Sequence, residues 1–201
     1  MSEKETIRSF VAVDVEAPVH AAVAALQAEL ARVRADVRWV RAEGMHVTLK
    51  FLGSVEAARL QRVRVALAAA LTNQPALEVR VHGAGAFPSL RRPRVLWVGL
   101  DGAGLAELAD TVDAALAPLG FEAETRGFTP HMTLGRVNSW RGWPALEDQF
   151  KAHLGDDFGS SHIDAVTVYR STLRPGGAVY TALWTIPLRQ HREGGTHDSR
   201  R

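Results

Sequence analysis

The chain has 201 residues, 46% of them hydrophobic, and a formal charge of only +2: enough apolar content for one sizeable core or two small lobes sharing one, and too little net charge for a broad nucleic-acid surface. It contains no cysteine, which excludes disulfides, thiolate nucleophiles and cysteine-ligated metal centres together. Residues 1–6 are charged and polar, and no apolar run of about 18 residues occurs, so neither an export signal nor a membrane span is expected, and the expectation is a cytoplasmic protein.

Residues 7–15 alternate Ile7, Ser9, Val11 and Val13 on one face and predict a strand. Pro18 opens a helix whose Val19, Val23, Leu26, Leu30 and Val33 form one apolar stripe. Residues 37–40 read as a short strand, 41–44 as a turn with Gly44 available for positive φ, and 45–53 as the partner strand. The first unit is therefore strand, helix, strand, strand. Ser54 is the expected cap of a helix reaching Leu71, with Leu60, Val63, Leu67 and Leu71 inward.

Residues 77–82 then predict a strand, a glycine-rich bend leads to Phe87 and Pro88, and a basic turn over 91–94 precedes a strand at 95–100. A second unit starts there. Leu105, Leu108, Val112, Leu116 and Leu119 stripe a helix that Gly120 ends; residues 121–125 are an expected strand, 126–127 a turn and 128–137 a further strand. Residues 138–144 read as a loop, 145–154 as a short helix, and 163–173 with 178–188 as a hairpin. One unit over 1–188 results, and 189–201, with no apolar side chain to bury, predicts a disordered tail.

The last strands of the two units share an order of residues: His46-Val47-Thr48-Leu49 and His131-Met132-Thr133-Leu134. Residues two apart on a strand point to the same face, so each segment sets an imidazole beside a hydroxyl. Val13 and Val98 stand equally far before their histidines, the trace expected of a duplicated or pseudo-twofold architecture. A lone His-x-Thr is most often a half-buried polar pair satisfied by its neighbours; two copies in matching units point to a site.

Other chemistries lack their residues. There is no phosphate-binding Gly-x-x-x-x-Gly-Lys-Ser/Thr, no Gly-x-Ser-x-Gly elbow and no His-Glu-x-x-His, and the acidic residues show no cluster of the kind that holds Mg²⁺ or Mn²⁺. Two imidazoles titrating near ~6.5 give one neutral and one protonated partner at physiological pH, a base and an acid. Phosphodiester cleavage uses that pair in line across phosphorus, while the two threonine hydroxyls donate to the non-bridging oxygens. A pH–rate bell around neutrality is expected.

With residues 9–15 (SFVAVDV), 39–53 (WVRAEGMHVTLKFLG), 128–136 (FTPHMTLGR) and 169–183 (YRSTLRPGGAVYTAL), the chain resembles the two-histidine (2H) phosphoesterases, in particular the RNA 2′,3′-cyclic phosphodiesterase or 2′-5′ RNA ligase family. The resemblance implies an α+β bilobal fold: two pseudo-twofold-related lobes whose mainly antiparallel sheets line a central cleft, with helices outside. It implies hydrolysis of an RNA-terminal 2′,3′-cyclic phosphate to a 2′-phosphate, with 2′-5′ ligation as the reverse direction and no metal or other cofactor. His46 takes the place of the proton donor, His131 of the proton acceptor, and Thr48 and Thr133 of the phosphate-binding residues.

Further substrate contacts are expected from Arg136, Arg41, Phe10 and Tyr169, with Arg126, Phe128, Trp140 and Trp143 as weaker candidates. Arg136 faces away from Thr133 unless its strand bends. The expected partner is RNA with a cyclic-phosphate end, tRNA fragments and small cyclic nucleotides among the options, and the expected state is a monomer. A non-catalytic binder of RNA ends and a 2H enzyme acting on a small cyclic phosphate are the alternatives.

Overall fold

An extended strand sends successive side chains to opposite faces, and the first strand, β1 (Thr6–Val13), does so with two kinds of neighbour. Its Val11 and Val13 enter the hydrophobic core, whereas Phe10, equally buried, sits among aromatic rings on the other face. The computed structural model describes residues 5–125, 127–175 and 177–190. After β1 come α1 (Ala17–Ala31), β2 (Val37–Trp39), β3 (Val47–Glu56), α2 (Ala57–Leu71), β4 (Leu77–Phe87), β5 (Val95–Asp101) and α3 (Leu105–Leu116). The chain continues with β6 (His131–Val137), α4 (Trp143–Ala152), β7 (Asp157–Ile163), β8 (Ala165–Arg174) and β9 (Gly177–Pro187).

Among the described residues the strands form one sheet in the order β7-β4-β5-β6-β3-β1-β8-β9, with β2 on β6. Every pairing is antiparallel. β3, β1, β8 and β9 spread to one side of the centre and β6, β5, β4 and β7 to the other, and the central ladder between β3 and β6 is a single residue pair, Val47 opposite Met132. The fold class is α+β with two related halves, as the motif order implied. The helices cover the core face: α1 buries Val19, Val23, Leu26 and Leu30, and α3 buries Leu105, Leu108, Val112 and Leu116. Among the described residues, none of the four α-helices has a side-chain hydrogen bond at its N-cap. A buried leucine or valine contributes about 1.5–3 kcal/mol against about 1 for a cap, so packing holds them. Among the described residues no helix is long and apolar enough to cross a membrane.

Several elements differ from the sequence reading. Ser54 is no cap: the ladder with β1 runs on through Arg8–Ser54 and Thr6–Glu56 pairs, so α2 starts at Ala57. Residues 121–125 form no strand. The Glu122 carbonyl accepts from the Lys50 ammonium and the Glu124 N–H donates to the Asp113 carboxylate, so side chains take up backbone groups that a ladder would otherwise use. β2 pairs with β6 of the other unit rather than with β3, and β6 starts at His131. β4 continues through the expected bend to Phe87, absorbing Gly83 as a bulge at φ 69. β7, polar and carrying glycine and serines, was not anticipated. α4 starts at Trp143, which is 1% exposed and so belongs to the core rather than to a base-stacking loop.

Past the expected boundary at 188, the Arg189 N–H donates to Gln74 and its carbonyl accepts from Ala76, and Gln190 meets His162. The rest of the expected tail, 191–201, lies outside the described residues.

β2 reaches β6 because Gly135 has no side chain. A Cβ there would lie 2.7 Å from Val37 Cγ1 and 2.9 Å from the Trp39 ring. Gly135→Val is expected to push β2 away and destabilise the protein by about 1–3 kcal/mol, the usual cost of overpacking, read as a lower urea midpoint with an unchanged slope.

Candidate active site

The junction between the halves arranges the site. Val47 and Met132 are fully buried and face each other; continued one residue each way, that register sets His46 across from Thr133 and Thr48 across from His131. All four then share the face opposite the core, and all four are half-buried. Each motif strand carries a bulge directly after its threonine. Ala12 pairs with Thr48 and Val11 with Lys50, so Leu49 is skipped; Trp97 pairs with Thr133 and Leu96 with Gly135, so Leu134 is skipped.

A bulge shifts the alternation by one. Phe51, opposite Phe10, and Arg136, opposite Val95, therefore return to the face of their threonines. That is the strand bend on which an inward Arg136 depended, and the charge of Arg136 is felt at His131.

His46 lies in an aromatic box. Phe10 stacks on it at 4.6 Å between ring centres, Tyr180 meets it edge-on at 5.1 Å, and Tyr169 lies beyond at 5.7 Å. These rings cannot hydrate an imidazolium, so burial, aided by the charge of His131, pushes His46 down to about 4. His131 stands edge-on to Phe87 at 5.0 Å, and burial lowers it as well. Its Nδ1–H donates to the Thr129 carbonyl at 2.7 Å. A carbonyl only accepts, so neutral His131 keeps its lone pair on Nε2. Ordinary histidine values, which would leave one ring protonated at neutral pH, do not apply to the free protein, because both sites are desolvated.

The remaining candidates separate clearly. Tyr169 is at the site, but its hydroxyl donates to Asp14 at 2.6 Å, and burial followed by that bond raises its pKa. Phe10 is 3% exposed and covered by His46, Tyr169 and Tyr180, so it supports the imidazole and cannot stack a base. Arg41 is exposed in the turn leading to His46. Phe128 packs against the core and Trp140 is 58% exposed. Arg126, His191 and His197 lie outside the described residues. His82 and His162 each pair with one carboxylate, His153 lies between those of Asp156 and Glu29, and His20 meets the Ala42 carbonyl.

Sequence reasoning missed Tyr180, Phe87 and Trp97, whose only signal was aromatic character on a strand. It also misassigned Gly44. That residue is not at positive φ; a Cβ on it would lie 2.9 Å from the Tyr180 ring, so its smallness admits the ring beside His46.

Comparison with known proteins gives the same division of the chain. The model of the LigT like phosphoesterase family matches residues 13–97 and again 98–180, starting at Val13 and Val98. The RNA 2′,3′-cyclic phosphodiesterase of Methanothermobacter thermautotrophicus is 32% identical over 183 residues, which cover 90% of this chain and 99% of that protein. The protein of the same name from Archaeoglobus fulgidus is 35% identical over 178 residues, 88% and 98% of the two chains. Among solved structures, a Thermus thermophilus protein superposes with a TM-score of 0.77 at 26% identity, over 92% of this chain and 99% of that one. E. coli LigT complexed with 3′-AMP superposes with a TM-score of 0.72 at 28% identity, over 92% and 100%.

Burial of a neutral imidazole also marks stability. Between pH 6.5 and about 4 the unfolded chain binds a proton at His46 that the folded protein refuses. That contribution is complete above 6.5 and is lost as pH falls through about 4. His46→Gln is expected to show a shallower loss of thermal stability between pH 7 and pH 4.5 than the unsubstituted protein; parallel curves would contradict the burial effect.

Proposed function

This chain belongs to the LigT-like phosphoesterase family, and from that premise we propose that it hydrolyses the 2′,3′-cyclic phosphate at an RNA end to a 2′-phosphate, with His46 as proton donor and His131 as proton acceptor. The observation that carries the reading is the Val47–Met132 register, which directs two imidazoles and two hydroxyls to one face. His131 Nε2, bare because Nδ1–H is held by Thr129, takes a proton from water as its oxygen attacks phosphorus. The P–O3′ bond breaks, and His46 delivers its proton to the departing O3′, leaving a 3′-hydroxyl and a 2′-phosphate. Thr48 and Thr133 donate to the non-bridging oxygens, where charge accumulates. The two histidines then exchange protons with solvent.

An acid with a free-state value of about 4 needs help to be charged. The anionic substrate supplies it, because a phosphate beside His46 offsets the cost of a buried imidazolium. With the 5′-hydroxyl of a second RNA in place of water, the same groups open the cyclic phosphate to a 2′-5′ phosphodiester. His131 takes the 5′-hydroxyl proton as that oxygen attacks phosphorus, the P–O3′ bond breaks and His46 protonates O3′. The histidines exchange roles when that bond is cleaved again; hydrolysis is the direction favoured in water.

Replacing either histidine by alanine is expected to lower turnover of a cyclic-phosphate oligonucleotide by about 10²–10⁴-fold, the usual contribution of a general acid or base. Near-normal hydrolysis by either variant would remove it from the mechanism. Both proton carriers are side chains, so EDTA is expected to leave the rate unchanged. The product should carry its phosphate on the 2′ oxygen, as end-group analysis reads directly. The pH profile of kcat/KM, which reports the free protein, should be a bell centred below 6.5, between about 4 for His46 and the lowered value of His131; an optimum above 7 would contradict the assignment.

A further inference from the structure

β2 makes the two halves of the cleft unequal. It lies only along β6, where it sets Val37 opposite Val137, Arg38 opposite Arg136 and Trp39 opposite Gly135. Val37 and Trp39 pack toward the core and over Gly135, so Arg38, between them, faces the other way. Residues directly opposite in an antiparallel ladder share a face. Arg38 and Arg136 are therefore neighbours on the face that carries His131 and Thr133, and both are exposed.

Like charges directly opposite each other destabilise a sheet. Among the described residues neither arginine has a carboxylate within ion-pair distance, although Arg80, Lys50 and Lys151 each do. An exposed pair of planar, multiply donating cations that the fold does not neutralise is suited to a phosphate oxygen. The pair stands three residues beyond Thr133, roughly 10 Å along the strand at about 3.3 Å per residue. That is one step away from the group held by the threonines. In the other half the equivalent position is Phe51, 68% exposed, whose strand neighbour across the ladder among the described residues is Phe10 of β1, an uncharged side chain. The pair of facing arginines thus lies on the His131 side of the cleft.

We propose that Arg38 and Arg136 form a clamp for the phosphodiester joining the RNA's terminal nucleotide to the one before it, so that the protein prefers an oligonucleotide end to a mononucleoside cyclic phosphate. This rests on the proposed activity for its substrate class. The scissile phosphate sits between the threonines, and the chain leaves the cleft along β6 and β2.

The test compares three substrates: a mononucleoside 2′,3′-cyclic phosphate, the same compound with a 5′-phosphate, and a dinucleotide ending in a 2′,3′-cyclic phosphate. The expected result is a higher kcat/KM for the dinucleotide than for the mononucleoside. In Arg38→Gln the ratio between them should fall about tenfold, the worth of one charged hydrogen bond, with Arg38→Lys intermediate. The salt dependence on the dinucleotide should weaken by roughly one in its logarithmic slope. Arg38 is exposed and its backbone pairing survives the change, so the thermal midpoint should stay put. Equal losses on mononucleoside and dinucleotide would overturn the clamp by placing Arg38 on the reacting phosphate, and an unchanged ratio would overturn it outright. A full preference for the 5′-phosphorylated mononucleoside would overturn the phosphodiester in favour of a terminal phosphate. The same ratio is read by equilibrium titration with the 2′-phosphate products. An absence of turnover in the unsubstituted protein would sink the proposed activity, while the titration still decides the clamp.

Discussion

One contact between the halves, Val47 against Met132, governs the site. Both side chains are fully excluded from water, and in an antiparallel ladder opposition of two residues dictates the opposition of their neighbours. Burying the apolar member of each motif therefore orients the polar members on either side of it. A slip of one residue would turn the histidines and threonines into the core and leave valine and methionine in the cleft. The cost of that exchange, two large apolar groups exposed and four polar groups buried, makes the register secure. Beyond that pair β3 and β6 follow separate partners, β1 on one side and β5 with β2 on the other.

The chemistry depends on the same burial. Phe10, Tyr169 and Tyr180 pack around the His46 ring, and that burial pushes its pKa down to about 4. The opposing histidine is oriented differently, by a backbone carbonyl that selects its tautomer. Two side chains of one type are thereby made unequal by what touches them: a ring box on one side, a hydrogen bond on the other. The proposed acid and base roles of the two histidines rest on that difference.

Most of the frame was legible in the sequence, since it rests on periodicity. The stripes of α1 and α3, the alternation of β1 and the repeated His-x-Thr-Leu all survive in the structure. What was not legible depends on contacts between distant residues. Tyr180 lies 134 positions from the histidine it touches, and nothing local marks it. β7 was missed because an edge strand with glycine and serines has weak propensity and is held by its neighbour β4. The side-chain directions of Phe51 and Arg136 turn on bulges that no alternation pattern announces.

The second bulge position shows how near-symmetric units come to differ. Residues after the threonines correspond as Leu49 with Leu134, Lys50 with Gly135 and Phe51 with Arg136. Gly135 leaves space, and β2 fills it with Val37 and Trp39. Lys50 fills its own space: its buried ammonium is paired with the Asp113 carboxylate and donates to the Glu122 carbonyl. The segment on that side is fastened through a side chain, so it need not join the ladder, and it forms no strand. On the Gly135 side the segment pairs backbone to backbone with β6, with Gln27 bridging the Val40 and Leu134 carbonyls at one end and Asp36 accepting from Asn138 and Ser139 at the other, and a strand results. Lysine in one unit and glycine in the other thus mark the wall that has room for an extra strand, and with it the wall that receives a second arginine.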